Sequence, residues 1–192
     1  MRQRIFIAIN LPEDIKNKLL NYQSKWPDLP VRWVKKENIH ITLAFLGYLN
    51  NEELLEVLKI TKEVAQKNQP FSINLNKICY GPPNQKKPPR MVWVVGEKSE
   101  KLGRLQNDFE NSFSNSSVES SEEFENRSYA PHITLGRIKQ WEFRAIEPEE
   151  RPIVDEEISL NFAVNSIEAM ESQLKRDGAE YSILESFPLA KI

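Results

Sequence analysis

The tetrapeptide His-Ile-Thr-Leu occurs twice in this chain, at residues 40–43 within "ENIHITLAFLG" and at residues 132–135 within "YAPHITLGR". These two stretches hold the only histidines, His40 and His132. Agreement of the three residues that follow each histidine is roughly a one-in-a-thousand coincidence, so internal repetition is the better explanation. Each copy also fixes a local conformation. Side chains alternate faces along a strand, so His40, Thr42 and Ala44 share one face while Ile41, Leu43 and Phe45 share the other. In the second copy His132, Thr134 and Gly136 lie opposite Ile133 and Leu135. The chain must therefore build two strands that each bury an apolar face and present a His/Thr face. The copies lie almost half a chain length apart, which suits two lobes with one copy in each.

The surroundings of the motifs predict mixed structure. "RQRIFIAINL" has the content of a buried strand, and Pro12 opens an apolar-periodic helix through "EDIKNKLLNYQSKW". "VRWVKK" reads as a short extended piece. Asn50 or Asn51 caps a second helix through "EELLEVLKITKEVAQKN", and "FSINLNKICYG" and "RMVWVVG" read as strands around a proline-rich loop. A third helix is expected through "SEKLGRLQNDFENSF", followed by the weakly patterned connection "SNSSVESSEEFENRS". "WEFRAIEPEERPIVDEE" reads as irregular. "ISLNFAVNSIEAMESQL" carries strand-like runs, and "KRDGA" turns the chain into a closing hairpin. Regular βαβ alternation is absent, so the class is α+β with mainly antiparallel sheet.

Charge restricts the partners. The net charge is −2, so the chain as a whole offers no attraction for long nucleic acid. Phosphate chemistry would need a local concentration of cations and a small ligand or an RNA end. No apolar run approaches the ~20 residues of a membrane span, and the amino terminus does not read as a signal peptide. The single cysteine, Cys79, excludes an internal disulfide and suits a reducing, cytoplasmic setting; it is expected to act as a small buried hydrophobe. Neither a membrane nor an obligatory protein partner is implied, and a monomer is expected.

Histidine can accept or donate a proton near neutral pH, and a threonine hydroxyl can donate to a phosphate oxygen. Two His-x-Thr faces across a cleft would place a base and an acid on either side of a phosphorus atom. No metal or other cofactor is required, and two histidines with one cysteine do not supply a zinc ligand set. The competing reading treats both histidines as structural and both threonines as ordinary strand formers.

The pair "HITLAFLG" and "PHITLGR" resembles the two signatures of the 2H phosphoesterase superfamily. With "RIFIAINLP", "RMVWVVG" and "SQLKRDGAEYSILESFPL", the chain resembles its RNA 2′,3′-cyclic phosphodiesterase branch, historically called 2′-5′ RNA ligases, from about residue 2 to 190. The resemblance implies a single two-lobed domain over residues 1–192. Its pseudo-symmetric lobes would each be a mainly antiparallel sheet with flanking helices, and the active-site cleft would lie between them. It implies hydrolysis of a terminal 2′,3′-cyclic phosphate on RNA to a 2′-phosphate, with reverse 2′-5′ joining when a 5′-hydroxyl replaces water. His40 would be the proton donor and His132 the proton acceptor, with Thr42, Thr134 and Arg137 on phosphate oxygens. Partners would be RNA 3′ ends or small nucleotides. Small cyclic nucleotides, 2′-5′ oligonucleotides, or RNA-end binding without turnover are the alternatives.

Two candidates conflict with strict alternation. Arg137 falls on the face of Ile133 and Leu135, and reaches the cleft only if the pairing breaks at Gly136. Otherwise it is a surface ion-pair residue. Phe45 falls with the core, and stacking on a base would require it to face the cleft. Lys35–Lys36, and Lys86–Lys87 with Arg90, are candidates for guiding RNA. Trp33 and Tyr129 are candidates for stacking or for packing.

Overall fold

The computed structural model describes residues 2–83, 88–114, 116, 118, 131–176 and 178–190. Lys86, Lys87, Tyr129 and most of the "SNSSVESSEEFENRS" connection lie outside the described residues. The elements are β1 (Gln3–Asn10), α1 (Glu13–Gln23), β2 (Val31–Trp33), β3 (His40–Leu49), α2 (Asn51–Lys67), β4 (Phe71–Gly81) and β5 (Met91–Gly96). They continue with α3 (Glu100–Ser114), β6 (His132–Ile138), α4 (Gln140–Ala145), β7 (Asp155–Val164), β8 (Ser166–Lys175) and β9 (Gly178–Pro188). Asn50 caps α2, its side chain accepting from the Glu52 and Glu53 amides while the Glu53 carboxylate accepts from the Asn50 amide. α4, within a stretch expected to be irregular, is held because Phe143 is buried, its ring meeting Tyr80 edge-on at 5.9 Å.

All pairings among the described strands are antiparallel, and the α+β class is as expected. The strands form one continuous sheet in the order β7-β4-β5-β6-β3-β1-β8-β9, with β2 added beside β6. Each motif strand ends a set of four, and the two sets meet where β6 lies beside β3 through one bridge, Ile41 to Ile133. The halves are thus joined edge to edge through the motif strands themselves.

One face of the sheet is apolar. Ile5, Ile7 and Ile9 of β1, Ile41 and Leu43 of β3, and Ile133 and Leu135 of β6 are buried on it, in a core shared with α1, α2 and α3. The helices supply Leu19, Val57, Val64, Leu102, Leu105 and Phe109, all fully buried. Burial of a leucine- or phenylalanine-sized side chain contributes about 1.5–3 kcal/mol, so this face holds the molecule together. The opposite face carries the motif histidines and stays open. Cys79, expected to be buried, is half-buried in β4, and burial pushes its thiol up. No helix among the described residues is long and apolar enough to cross a membrane.

Candidate active site

The single bridge between the motif strands sets the geometry. With Ile41 opposite Ile133 on the core face, one step along the antiparallel register brings His40 level with Thr134 and Thr42 level with His132. All four polar side chains therefore project from the same face, each histidine diagonal to the other. They line one cavity of about 410 Å³, a size suited to a small ligand.

His40 is held on three sides. Its Nδ1 lies 2.7 Å from the Asn38 carbonyl oxygen, and because a carbonyl only accepts, Nδ1 carries a hydrogen. In the neutral ring Nε2 then accepts from the Thr42 hydroxyl at 3.0 Å, so its lone pair points along the strand into the cleft. Phe6 packs at 5.0 Å and Tyr181 meets the ring edge-on at 5.2 Å. This enclosure pulls the pKa down to about 4, with Lys16 and His132 acting in the same direction and the Asn38 hydrogen bond opposing them. His40 is thus neutral at pH 7.

His132 is fixed differently. It stacks on Trp93 with ring centroids 4.2 Å apart and planes 29° off parallel. Trp93 in turn lies flat on β4 at Gly81, where an added Cβ would come within 2.2 Å of the indole. The indole N–H donates to Met91 Sδ at 3.3 Å, and the Thr134 hydroxyl points at the same sulfur from 3.8 Å.

Both parity conflicts are resolved by a slip in pairing, three residues after each histidine. Opposite β5, the register passes from Trp93–Thr134 to Val92–Gly136, so Leu135 is the extra residue and Arg137 turns onto the cleft side. Opposite β1, it passes from Ala8–Thr42 to Ile7–Ala44, so Leu43 is the extra residue. Phe45 then pairs with Phe6 and lines the cleft, where strict alternation had placed it in the core. Its ring lies 5.9 Å from that of Phe6.

Of the remaining candidates, Trp33 and Lys35 line the cleft. Lys36 turns away to Glu13 at 2.7 Å, and Arg90 is not among the lining residues. Sequence reasoning missed Arg32, Asn38, Trp93, Arg176 and Tyr181. Arg176 and Tyr181 come from the closing hairpin, which Asn38 ties down: its carboxamide donates to the Ala179 carbonyl at 2.7 Å and accepts from the Tyr181 amide at 3.3 Å. One residue thereby orients His40 through its own carbonyl and fastens the strand that walls the cleft. Among the described residues the lining contains Arg32, Lys35, Arg137 and Arg176 and no carboxylate. An acidic protein thus concentrates positive charge at one place.

Comparison with known proteins follows the same lines. Residues 9–93 match the family model described as LigT like Phosphoesterase. The chain is 32% identical over 136 residues to the RNA 2′,3′-cyclic phosphodiesterase of Methanocaldococcus jannaschii, covering 71% of this chain and 72% of that protein. Its fold is similar to that of a Thermus thermophilus protein of known crystal structure, with a TM-score of 0.80, 28% identity and 98% of each chain covered. It is also similar to E. coli LigT complexed with 3′-AMP, with a TM-score of 0.77, 26% identity and 100% of each chain covered.

Proposed function

The chain belongs to the RNA 2′,3′-cyclic phosphodiesterase family of 2H phosphoesterases, and from that premise we propose that His40 and His132 open a terminal 2′,3′-cyclic phosphate on RNA without a metal. The observation that carries this reading is the diagonal of two imidazoles and two hydroxyls on one open sheet face. In the proposed reaction His132 removes a proton from water as the oxygen attacks phosphorus. His40 gives a proton to the departing 3′ oxygen, leaving a 2′-phosphate and a 3′-hydroxyl. Thr42, Thr134 and Arg137 hold the non-bridging oxygens, where an arginine fork matches the geometry of the anion. Phe45 offers its ring to the terminal base. A 5′-hydroxyl entering in place of water follows the same two proton transfers, its oxygen bonding to phosphorus as the 3′ oxygen leaves, and forms a 2′-5′ bond.

As the donor His40 must carry a proton, and burial of the ring works against that. The negative charge of a bound phosphate beside the ring favours the imidazolium and supplies the missing bias. Among the described residues no group of three or more His, Cys, Asp or Glu is placed to hold an ion, and the proposed steps draw on the chain's own imidazoles, hydroxyls and guanidinium alone. The two halves of the sheet, one motif in each, would work as a single domain over 1–192. Small cyclic nucleotides are the second reading, favoured by the E. coli relative crystallised with 3′-AMP.

The roles of the two histidines separate with a substrate whose 3′ bridging oxygen is replaced by sulfur, because a thiolate leaves without a proton. His40→Ala is expected to be at least tenfold less damaging on the sulfur substrate than on the oxygen one, whereas His132→Ala is equally damaging on both. The reverse pattern would exchange acid and base. No relief in either variant would contradict acid catalysis altogether.

A further inference from the structure

The sheet register sets Arg32 of β2 directly opposite Arg137 of β6. Side chains so paired have Cβ atoms about 4.5–5.5 Å apart, and like charges there repel. Both residues nonetheless line the cleft, and neither has an ion-pair partner among the described residues. The arrangement is also held firmly. A Cβ on Gly136 would come within 2.6 Å of Val31 and 2.8 Å of Trp33, so the glycine lets β2 lie close on β6. The Val34 amide donates to the Leu135 carbonyl at 2.8 Å and the Lys139 amide to the Pro30 carbonyl at 2.8 Å, closing both ends of this short pairing. Lys35 follows on the same segment and lines the same cavity. A cyclic phosphate carries one negative charge, and the two threonines with Arg137 suffice to hold it. Of the remaining cations, Arg176 comes from the closing hairpin, while Arg32 and Lys35 come together from β2 and the residues just after it, facing the same opening.

We propose that Arg32, with Lys35 beside it, is a second anion subsite that binds the phosphodiester immediately upstream of the terminal nucleotide. The cleft then selects the ends of oligonucleotides over nucleoside 2′,3′-cyclic phosphates. This inference rests on the phosphodiesterase reading above and narrows its substrate class. The repulsion between Arg32 and Arg137 is relieved when two linked phosphates lie across them, and that relief is available only to a substrate of at least two nucleotides. Because Arg32 is exposed and lies outside the buried core, its truncation leaves that core intact.

The test pairs a change in the protein with a change in the substrate. A short RNA ending in a 2′,3′-cyclic phosphate is compared with the same RNA bearing one neutral methylphosphonate at its last internal linkage. In the wild type the neutral linkage is expected to lower kcat/KM about tenfold, mainly through KM, as loss of a charge-assisted contact would. Arg32→Ala should show a similar loss on the charged RNA, and the neutral linkage should then cost it less than about twofold more. Arg32→Lys should recover part of the loss. The subsite is overturned if the neutral linkage costs the wild type nothing, or costs wild type and Arg32→Ala the same factor. Turnover of both RNAs by the wild type alongside either result would leave the phosphodiesterase reading standing. A wild type that hydrolyses neither RNA would sink that reading, and the subsite with it.

Discussion

At the scale of single residues, His40 carries the sharpest physical consequence. A histidine whose pKa falls from 6.5 to about 4 on folding is neutral in the native state while its unfolded counterpart takes up a proton. Its contribution to stability is therefore fully present above pH 6.5, is lost as pH falls toward 4, and is gone below that. The size is at most on the order of 3 kcal/mol, because the ring keeps an edge open to the cleft. Urea midpoints measured at pH 7.5 and 4.5 should therefore fall more steeply for the wild type than for His40→Ala, which lacks the group. Equal falls would mean that the ring is not desolvated as described. The same enclosure explains why Asn38 matters. Its carbonyl holds the Nδ1 hydrogen and its carboxamide holds the hairpin that presents Tyr181 to the ring.

At the scale of elements, the two motif strands share a device as well as a sequence. Each slips its pairing by one residue, three positions past its histidine, which turns Phe45 and Arg137 to the face that carries the histidines. The second slip was legible because Gly136 marks it; the first falls on Leu43 and Ala44, both buried, and nothing in the sequence distinguishes them from regular strand. The support behind His132 was not legible either. Gly81 and Trp93 lie on different strands, and their contact depends on pairing across β4 and β5. Placing a methyl group there displaces the indole on which His132 stacks. Gly81→Ala is expected to cost about 1–3 kcal/mol in stability through overpacking and to lower kcat at least tenfold. Thermal unfolding and steady-state rates measured on the same protein check both. Full activity in a variant that shows the expected destabilisation would mean that the Trp93 stack does not position His132.

At the scale of the whole molecule, alternation in "HITL" gave away the two amphipathic strands, a local property of period two, and strand and helix patterns without regular βαβ order gave away the α+β class. The joining of all strands into one sheet was not readable, because β3 meets β6 through one bridge and β2 crosses to β6 from the other half. Such pairings are fixed by long-range register rather than by local pattern. That register also carries Arg32 to the cleft, out of a stretch legible only as extended chain. On the proposed reading the site exists only when both halves are joined, since each supplies one imidazole. The most direct measurement is incubation of the protein, with excess chelator, with an RNA oligonucleotide ending in a 2′,3′-cyclic phosphate, followed by location of the phosphate in the product. Full turnover to a 2′-phosphate is predicted, abolished in His40→Ala and in His132→Ala while both variants remain folded. Unchanged RNA, a 3′-phosphate product, loss of activity with chelator, or turnover by the His132→Ala protein would contradict the paired-imidazole account.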